Sequence, residues 1–126
     1  MESISETNET YNVKMYKINS TEDFNSLYEK DNGINVLIFS AKWCGPCKRL
    51  KPQLMELIVK LRKDDKIMKA IKFYYIDVDK CLSLSEHHKI STVPTIIVLN
   101  KSIEEYRTNE IDNIDEVLLE LSMTIV

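Results

Sequence analysis

Apolar and polar residues alternate along this chain with two different periods, which predict strands and helices in turn. From Val13 to Ile18 they alternate one by one, as in a strand with one buried face. From Cys44 onward apolar residues recur at helical spacing, and Lys and Arg occupy the opposite side. Pro52 lies inside this apolar stripe and is expected to kink the helix rather than end it, because the period continues past it. The stripe consists of Leu50, Leu54, Leu57, Ile58 and Leu61.

The order of the predicted elements defines the fold class. Ser20 is the expected N-cap of the first helix, and Asn113-Ile-Asp-Glu116 is expected to form a capping box for the last one. Strands are predicted at 13–18, 36–39, 71–78, 93–99 and 103–107, and helices at 20–30, at 82–89, from 44 and from 113. This order is typical of an α/β fold with a central mixed five-stranded sheet, flanked on both faces by four helices. Residues 1–12 are expected to form a flexible N-terminal tail, and residues 13–126 a single domain.

Charge is unevenly distributed, although the net charge is only −3. Residues 42–72 carry ten Lys or Arg against three acids, a balance of +7. Residues 102–126 carry one Arg against seven acids, a balance of −6. The simplest interpretation is a pair of solvated helix faces. The alternative is that the positive segment biases partner choice and thiol chemistry, because it contains a pair of cysteines.

Composition also disfavours several classes of partner. The basic residues are not interleaved with aromatic residues and the total charge is acidic, so no nucleic-acid partner is expected. No apolar run approaches the roughly 20 residues of a membrane span, so no membrane partner is expected. The first ten residues are acidic and polar, unlike a secretory signal or a transit peptide. The predicted location is therefore cytoplasmic, with the nucleus open by diffusion.

Candidate chemistry is concentrated at the strand-to-helix junction, where Cys44 and Cys47 stand three residues apart. Cys44 comes at the helix N-terminus, where free N–H groups and the helix dipole stabilise a thiolate. Pro46 is accepted in the first helical turn, and Gly45 lets the backbone pass close to sulfur and to a partner chain. Trp43 supplies a flat apolar surface beside the pair. This turn is expected to hold the two cysteines close enough to form a small disulfide.

Two other uses of the cysteine pair are disfavoured. A zinc site needs two more ligands at suitable spacing, and only Cys81 and the adjacent His87 and His88 remain, so no metal is expected. A structural disulfide is not expected in a cytoplasmic domain with a full core. Cys81 is interpreted as a quiet thiol, with a regulatory or intermolecular bridge as the alternative.

The motif around the pair carries a family resemblance. Trp43-Cys-Gly-Pro-Cys-Lys48, followed by Leu50 and Pro52, resembles the active-site segment of thioredoxins. The resemblance implies the thioredoxin fold over about residues 12–123, with a cis peptide bond before Pro94 and with Val93 and Pro94 facing the disulfide in a substrate groove. Further segments similar to eukaryotic members are Phe39-Ser-Ala41, Asp77-Val-Asp79-Lys-Cys81 and Val93-Pro-Thr95.

The resemblance also implies an activity and partners. It implies a protein dithiol–disulfide oxidoreductase in which Cys44 attacks a target disulfide and Cys47 resolves the mixed disulfide. Trp43, Gly45 and Pro46 would support the site and its groove. The implied partners are proteins with disulfides and a recycling enzyme similar to thioredoxin reductase. No cofactor is implied, and the protein is expected to be a monomer.

Three positions depart from the family pattern. Thioredoxins usually carry a buried Asp six residues before the first cysteine, which takes the proton of the second thiol; this chain has Ile38 there. Part of the family pairs that Asp with a lysine, where this chain has Tyr75. Losing both is coherent, because removing one partner alone would leave a buried charge unpaired. The family's glycine after the fifth strand aligns with Glu110.

These departures keep an alternative function open. The alternative is a thioredoxin-fold binding module whose groove holds a partner while turnover is weak, which Ile38 and Glu110 favour. A glutaredoxin-like enzyme is disfavoured, because Asn109-Glu-Ile-Asp112 stands where glutaredoxins carry their Gly-Gly-x-Asp glutathione signature.

Overall fold

In the computed structural model, the chain forms a twisted sheet with helices on both faces. The structure describes residues 4–8, 13–28, 33–61, 71–111 and 113–123. The strands in these ranges are β1 (Ile4–Asn8), β2 (Val13–Ile18), β3 (Ile34–Ser40), β4 (Ile71–Asp77), β5 (Thr95–Asn100) and β6 (Ile103–Thr108). The helices are α1 (Thr21–Leu27), α2 (Gly45–Leu61), α3 (Leu82–His87) and α4 (Ile114–Ser122).

The sheet has the order β1-β2-β4-β3-β5-β6. Strands β2 and β3 both pair with β4 in parallel, whereas β3–β5 and β5–β6 are antiparallel. The predicted five-stranded mixed sheet with four helices is therefore confirmed in strands β2 to β6. Strand β3 lies at the centre of the sheet. The chain enters α2 directly from the carboxyl end of this strand.

The structure differs from the sequence prediction over residues 4–8. The sequence predicts a flexible tail for this segment, but the structure pairs it antiparallel with β2, with Ile4 opposite Lys17 and Asn8 opposite Val13. A strand at the edge of a sheet can be held by backbone hydrogen bonds to one neighbour, which require no apolar periodicity in its sequence. The pattern of apolar residues therefore could not reveal it.

The core lies on both faces of β3, which explains its continuous apolar run. Every residue of β3 is buried. Ile34, Val36 and Ile38 belong to the cluster formed with α2 and α4. Leu37 and Phe39 belong to the cluster on the other face, which contains residues of α1 and α3.

The helix ends agree with the predictions at one position and disagree at another. Ser20 caps α1, since its Oγ accepts a hydrogen bond from the Asp23 N–H at 3.0 Å. The capping box predicted for α4 is wrong: Asn113 has a left-handed backbone with φ 68° and makes no side-chain cap. A capping box requires an extended N-cap residue. Asp115 of the predicted box instead pairs with Lys60 of α2 at 2.8 Å.

Helix α2 runs past Pro52 to Leu61, as predicted from its apolar stripe. Proline removes one N–H from the helical ladder, but the apolar side chains beyond it remain buried against the sheet. None of the helices in the described ranges is long and apolar enough to cross a membrane.

Candidate active site

The cysteine pair lies at the carboxyl end of β3, where the chain turns into α2. The turn is closed by a hydrogen bond from the Cys44 N–H to the Ala41 carbonyl, at 3.2 Å. The helix begins at Gly45, so Cys44 immediately precedes its first turn and Cys47 lies within it. The junction predicted from the sequence is confirmed.

Cys44 and Cys47 form a disulfide, with their Cα atoms 5.3 Å apart. The Cys47 N–H lies 3.2 Å from Cys44 Sγ and donates a hydrogen bond to it. A backbone donor at a helix N-terminus favours the thiolate form of this sulfur once the disulfide is reduced. Both residues are nearly enclosed, Cys44 4% and Cys47 1% exposed, so Cys44 is only slightly more accessible than its neighbour.

A cis peptide bond joins Val93 and Pro94, as the resemblance implies. The Val93 carbonyl oxygen lies 3.6 Å from Cys44 Sγ, so this loop forms the wall that faces this sulfur. The Asn109 side-chain amide donates to the Pro94 carbonyl at 2.9 Å. It also lies 3.1 Å from the hydroxyls of Thr92 and Thr95, and therefore ties the loop to the end of β6. Asn109 is a functional candidate that sequence reasoning missed, because no local pattern links it to Pro94.

Trp43 lies at the surface beside the disulfide, with 69% of the residue exposed. Its indole Nε1–H donates to Asp79 Oδ2 at 2.9 Å. Asp79 is itself positioned by a hydrogen bond from its N–H to Asp77 Oδ1, also 2.9 Å. The orientation of the exposed ring is therefore set by the turn after β4, which in the sequence is marked only by the family resemblance.

A groove with a volume of about 350 Å³ is lined by Pro94 and by Pro46, which stands between the two cysteines in the sequence. Arg49 and Glu110 place opposite charges on its wall. A Cβ atom built on Gly45 would meet only Arg49 Nη1, at 3.9 Å, so the packing of this chain does not itself require glycine there. The other residues that line the groove are Leu50, Gln53, Asn109 and Ile111.

Ile38 lies on the α2 face of the sheet and is completely buried. It is in register with Tyr75 of β4, so two of the three departures from the family pattern are direct neighbours in space. The Tyr75 hydroxyl lies 3.0 Å from Ser40 Oγ, and the Lys51 ammonium lies 5.2 Å from the centre of the Tyr75 ring. The immediate surroundings of Ile38 are apolar. The hydroxyls of Tyr75 and Ser40 and the Lys51 ammonium are the polar groups at their edge.

Cys81 is separate from the site. It is fully buried, and its Sγ lies 3.8 Å from the carbonyl oxygen of Ile18. Burial, together with the charges of Asp77 and Asp23, raises the pKa of this thiol to about 11. The inner position supports the interpretation of a quiet thiol over that of a regulatory bridge.

The rings of His87 and His88 contact each other edge to face, with their centres 4.9 Å apart. Burial, followed by the charges of His87 and Arg107, lowers the pKa of His88. Across the described ranges, no group of three or more His, Cys, Asp or Glu residues is placed to hold a metal ion.

These environments predict the order in which the reduced thiols react. One equivalent of an alkylating reagent at neutral pH should label Cys44 first, because the Cys47 N–H stabilises its thiolate. Cys81 should stay unlabelled until the protein unfolds or the pH approaches about 11, since its thiol is protonated below that value. Peptide mass spectrometry reads out the order. Early labelling of Cys47 or Cys81 would contradict the assignment of Cys44 as the nucleophile.

Comparison with known proteins agrees with this geometry. A family model described as Thioredoxin matches residues 14–120. The chain is 35% identical over 98 residues to Thioredoxin H8 of Arabidopsis thaliana, which covers 76% of this chain and 57% of that protein. It is 33% identical over 75 residues to a thioredoxin of Echinococcus granulosus, which covers 60% of this chain and 64% of that protein. The aligned part thus spans less than two thirds of the length of these relatives.

Solved structures show the same architecture. The crystal structure of a reduced thioredoxin pre-protein from Schistosoma mansoni superposes with a TM-score of 0.69 at 29% sequence identity. The superposition covers 85% of this chain and 96% of that one. The thioredoxin fold predicted from the sequence is confirmed.

Proposed function

Because the chain belongs to the thioredoxin family, we propose that it is a protein dithiol–disulfide oxidoreductase that reduces disulfides in target proteins. The observation that carries the proposal is the Cys44–Cys47 disulfide at the start of α2, facing the Val93 carbonyl. A redox pair needs one sulfur that is stabilised as a thiolate and a second within bonding distance, and the turn supplies both.

The first step is attack by the Cys44 thiolate on one sulfur of the target disulfide. A bond forms between Cys44 and that sulfur, the target disulfide breaks, and the second target sulfur leaves as a thiolate that takes up a proton. The hydrogen bond from the Cys47 N–H to Cys44 Sγ stabilises the attacking form. The groove beside Pro46 and Pro94 would hold the extended target chain during this step.

The second step releases the target. Cys47 loses its proton and attacks Cys44 Sγ, so the mixed disulfide breaks and the remaining target sulfur leaves as a thiolate. The second target thiolate takes up a proton, to balance the one that Cys47 lost. Two electrons have then passed to the target, and the chain is left with the Cys44–Cys47 disulfide. Each further turnover needs an external dithiol reductant, for which we propose an enzyme similar to thioredoxin reductase. No bound cofactor takes part in either step.

Reduction of insulin tests this function. The protein is supplied with a thioredoxin reductase and its reductant, and the separation of the insulin chains is followed as turbidity. We expect catalytic turnover that disappears in the Cys44→Ser variant. A rate equal to that of the Cys44→Ser variant would overturn the proposal. The monomeric state and the cytoplasmic location stay predictions, which sedimentation and cell fractionation would test.

Gly45→Ala should separate target docking from sulfur chemistry. The variant should fold normally, with a stability equal to that of the parent or higher by up to about 1 kcal/mol, because alanine favours a helix and the Cβ has room. We expect kcat/KM for insulin to fall roughly tenfold, through contact of the new methyl with the target backbone. Reduction of a small aromatic disulfide should be unchanged and is the internal control. An equal loss for both substrates would show that Gly45 serves the cysteines rather than docking.

A binding module with weak turnover is the second candidate, and burial of Ile38 is the observation that favours it. Without a carboxylate at position 38, the mixed disulfide should persist longer than in family members that carry one there. The insulin assay decides between the two functions, since a binding module should form the mixed disulfide and release little product.

A further inference from the structure

A second cavity lies on the side of the cysteine pair away from the groove, with a volume of about 360 Å³. We call it the rear pocket and define it by Lys51 and Tyr75, with Cys47 in its wall. It is formed by the carboxyl ends of the adjacent parallel strands β2, β3 and β4 together with the first turns of α2. Crevices at the carboxyl ends of parallel strands are common ligand sites, and this volume is at the small end of their range.

The charge of the rear pocket is strongly positive. Five lysines border it, and Asp77 is the one acid among its lining residues. The Asp77 Oδ1 accepts a hydrogen bond from the Asp79 N–H at 2.9 Å, so part of its acceptor capacity is already used. The lysines come from four separate segments, so the charge is created by the fold: Lys17, Lys42, Lys48, Lys51 and Lys80.

The walls of the rear pocket also present hydrogen-bonding groups. The Tyr75 hydroxyl and Ser40 Oγ lie 3.0 Å apart and both line the cavity. The Lys51 ammonium is held 5.2 Å above the Tyr75 ring, so one cation is already positioned at the wall. Arg49, in contrast, lines the groove on the opposite side of α2. The cations in the first turns of this helix are therefore divided between two surfaces.

We propose that the rear pocket binds a small, multiply charged anion, with a phosphate-bearing molecule as the class of ligand. A diphosphate carries several charges and many acceptor oxygens, and therefore matches a cavity bordered by several lysines better than a single carboxylate does. Lysine ammonium groups and neutral hydroxyls are both suitable donors to phosphate oxygens. The size of the cavity excludes a folded protein surface and suits a molecule of about the size of pyrophosphate or somewhat larger.

Binding in the rear pocket is coupled to the redox state of the pair, because Cys47 forms part of the wall. A thiolate on Cys44 places a negative charge near the ligand, whereas the disulfide is neutral. The anion therefore binds the oxidised protein more tightly and, by linkage, stabilises the disulfide to the same extent. This coupling rests on the proposed redox function, whereas binding itself does not.

The test is a titration of the oxidised protein with inorganic pyrophosphate at constant ionic strength, followed by ¹⁵N–¹H NMR. We expect saturable binding of one anion, with shifts confined to residues of the rear pocket. The double variant Lys51→Gln/Lys80→Gln should lose affinity about tenfold. Lys60→Gln is the matched control, since Lys60 lies on the same helix but pairs with Asp115 away from the cavity. It should change the affinity by less than about twofold.

Linear, unsaturable shifts, or an equal loss of affinity in Lys60→Gln, would overturn the proposal, because both indicate general attraction between the lysines and anions. The same titration of the reduced protein at alkaline pH should give severalfold weaker binding. Equal affinity in both redox states would overturn the coupling alone. If the parent protein binds pyrophosphate but does not reduce insulin, then the redox function has been misassigned and the anion site has not.

Discussion

With Cys47 replaced by Ser, the protein is expected to accumulate as a covalent mixed disulfide with its targets instead of turning them over. The first step is unaffected, because Cys44 keeps its place before α2 and its backbone donor at position 47. The second step loses its nucleophile. Attack within one molecule benefits from an effective concentration of about 10⁵ M or more, which external thiols at millimolar concentration do not match. Turnover should therefore fall by roughly 10³-fold or more.

The adduct is measured by non-reducing electrophoresis and mass spectrometry after reaction with a disulfide-bonded protein. Cys81→Ser is the matched control, since it removes a thiol that is fully buried and outside the site. It should turn over normally and form no lasting adduct. A variant that lacks both Cys44 and Cys47 should trap nothing. Adducts through Cys81, or rapid release of the target from the Cys47→Ser variant, would disprove the assignment of attack to Cys44 and of resolution to Cys47.

Ile38→Asp should change the two redox steps in opposite directions. A carboxylate at this position disfavours a thiolate on Cys44 through repulsion, so the attack on the target should slow at neutral pH. The same carboxylate can accept the proton of Cys47, so the release of the reduced target should become faster. In the parent protein Ile38 is completely buried in an apolar cluster, and both effects are missing. Single-turnover kinetics on one disulfide substrate measures the two steps separately.

The substitution should also destabilise the fold, by roughly 2–5 kcal/mol, because it removes a buried side chain and introduces a group that needs solvation. Burial raises the pKa of the new carboxyl above its value of about 3.9 in the unfolded chain. The folded state then binds more protons than the unfolded state over the interval between the two pKa values. Stability should therefore fall as the pH rises through that interval, relative to the parent. Urea denaturation at several pH values measures this dependence.

Ile38→Asn is the matched control for the carboxylate. Asparagine has nearly the same shape and buries a polar group, but it neither carries charge nor accepts a proton from a thiol. It should destabilise the protein without faster release of the target. If Ile38→Asp releases the target no faster than Ile38→Asn, the proton of Cys47 leaves by another route. The rear pocket, which Cys47 and the hydroxyl of Tyr75 both line, would then be the first place to look for it.

The parts of the site that the sequence could predict are those built by neighbouring residues. Cys44, Gly45, Pro46 and Cys47 lie in one turn between a strand and a helix, and each has a local physical reason to be there. The central strand β3 was equally accessible to prediction, because burial on both faces leaves a continuous apolar run. The cis bond before Pro94 was different, since only the family resemblance suggested it.

The parts that could not be predicted depend on contacts between distant segments. Asn109 reaches the Pro94 carbonyl across 15 residues of chain, and nothing in its own surroundings signals this. Lys17 and Lys80 join the lysines of α2 only because β2 and β4 end at the same edge of the sheet. Asn113 matches a capping pattern but adopts a left-handed backbone instead. Local sequence rules rank alternatives at such positions, and tertiary structure selects among them.

The buried position of Cys81 fixes how many electrons the protein can exchange reversibly. Two sulfurs meet at the start of α2, and the third is shielded inside the α1 and α3 side of the core. A full oxidative titration of the folded protein should therefore stop at two electrons. Peroxide should convert the pair to its disulfide and leave Cys81 as a thiol, without oxidation to the sulfenic acid. Repeated cycles then return the protein to the same reduced state, with no covalent dimers and no exchanged disulfides to repair.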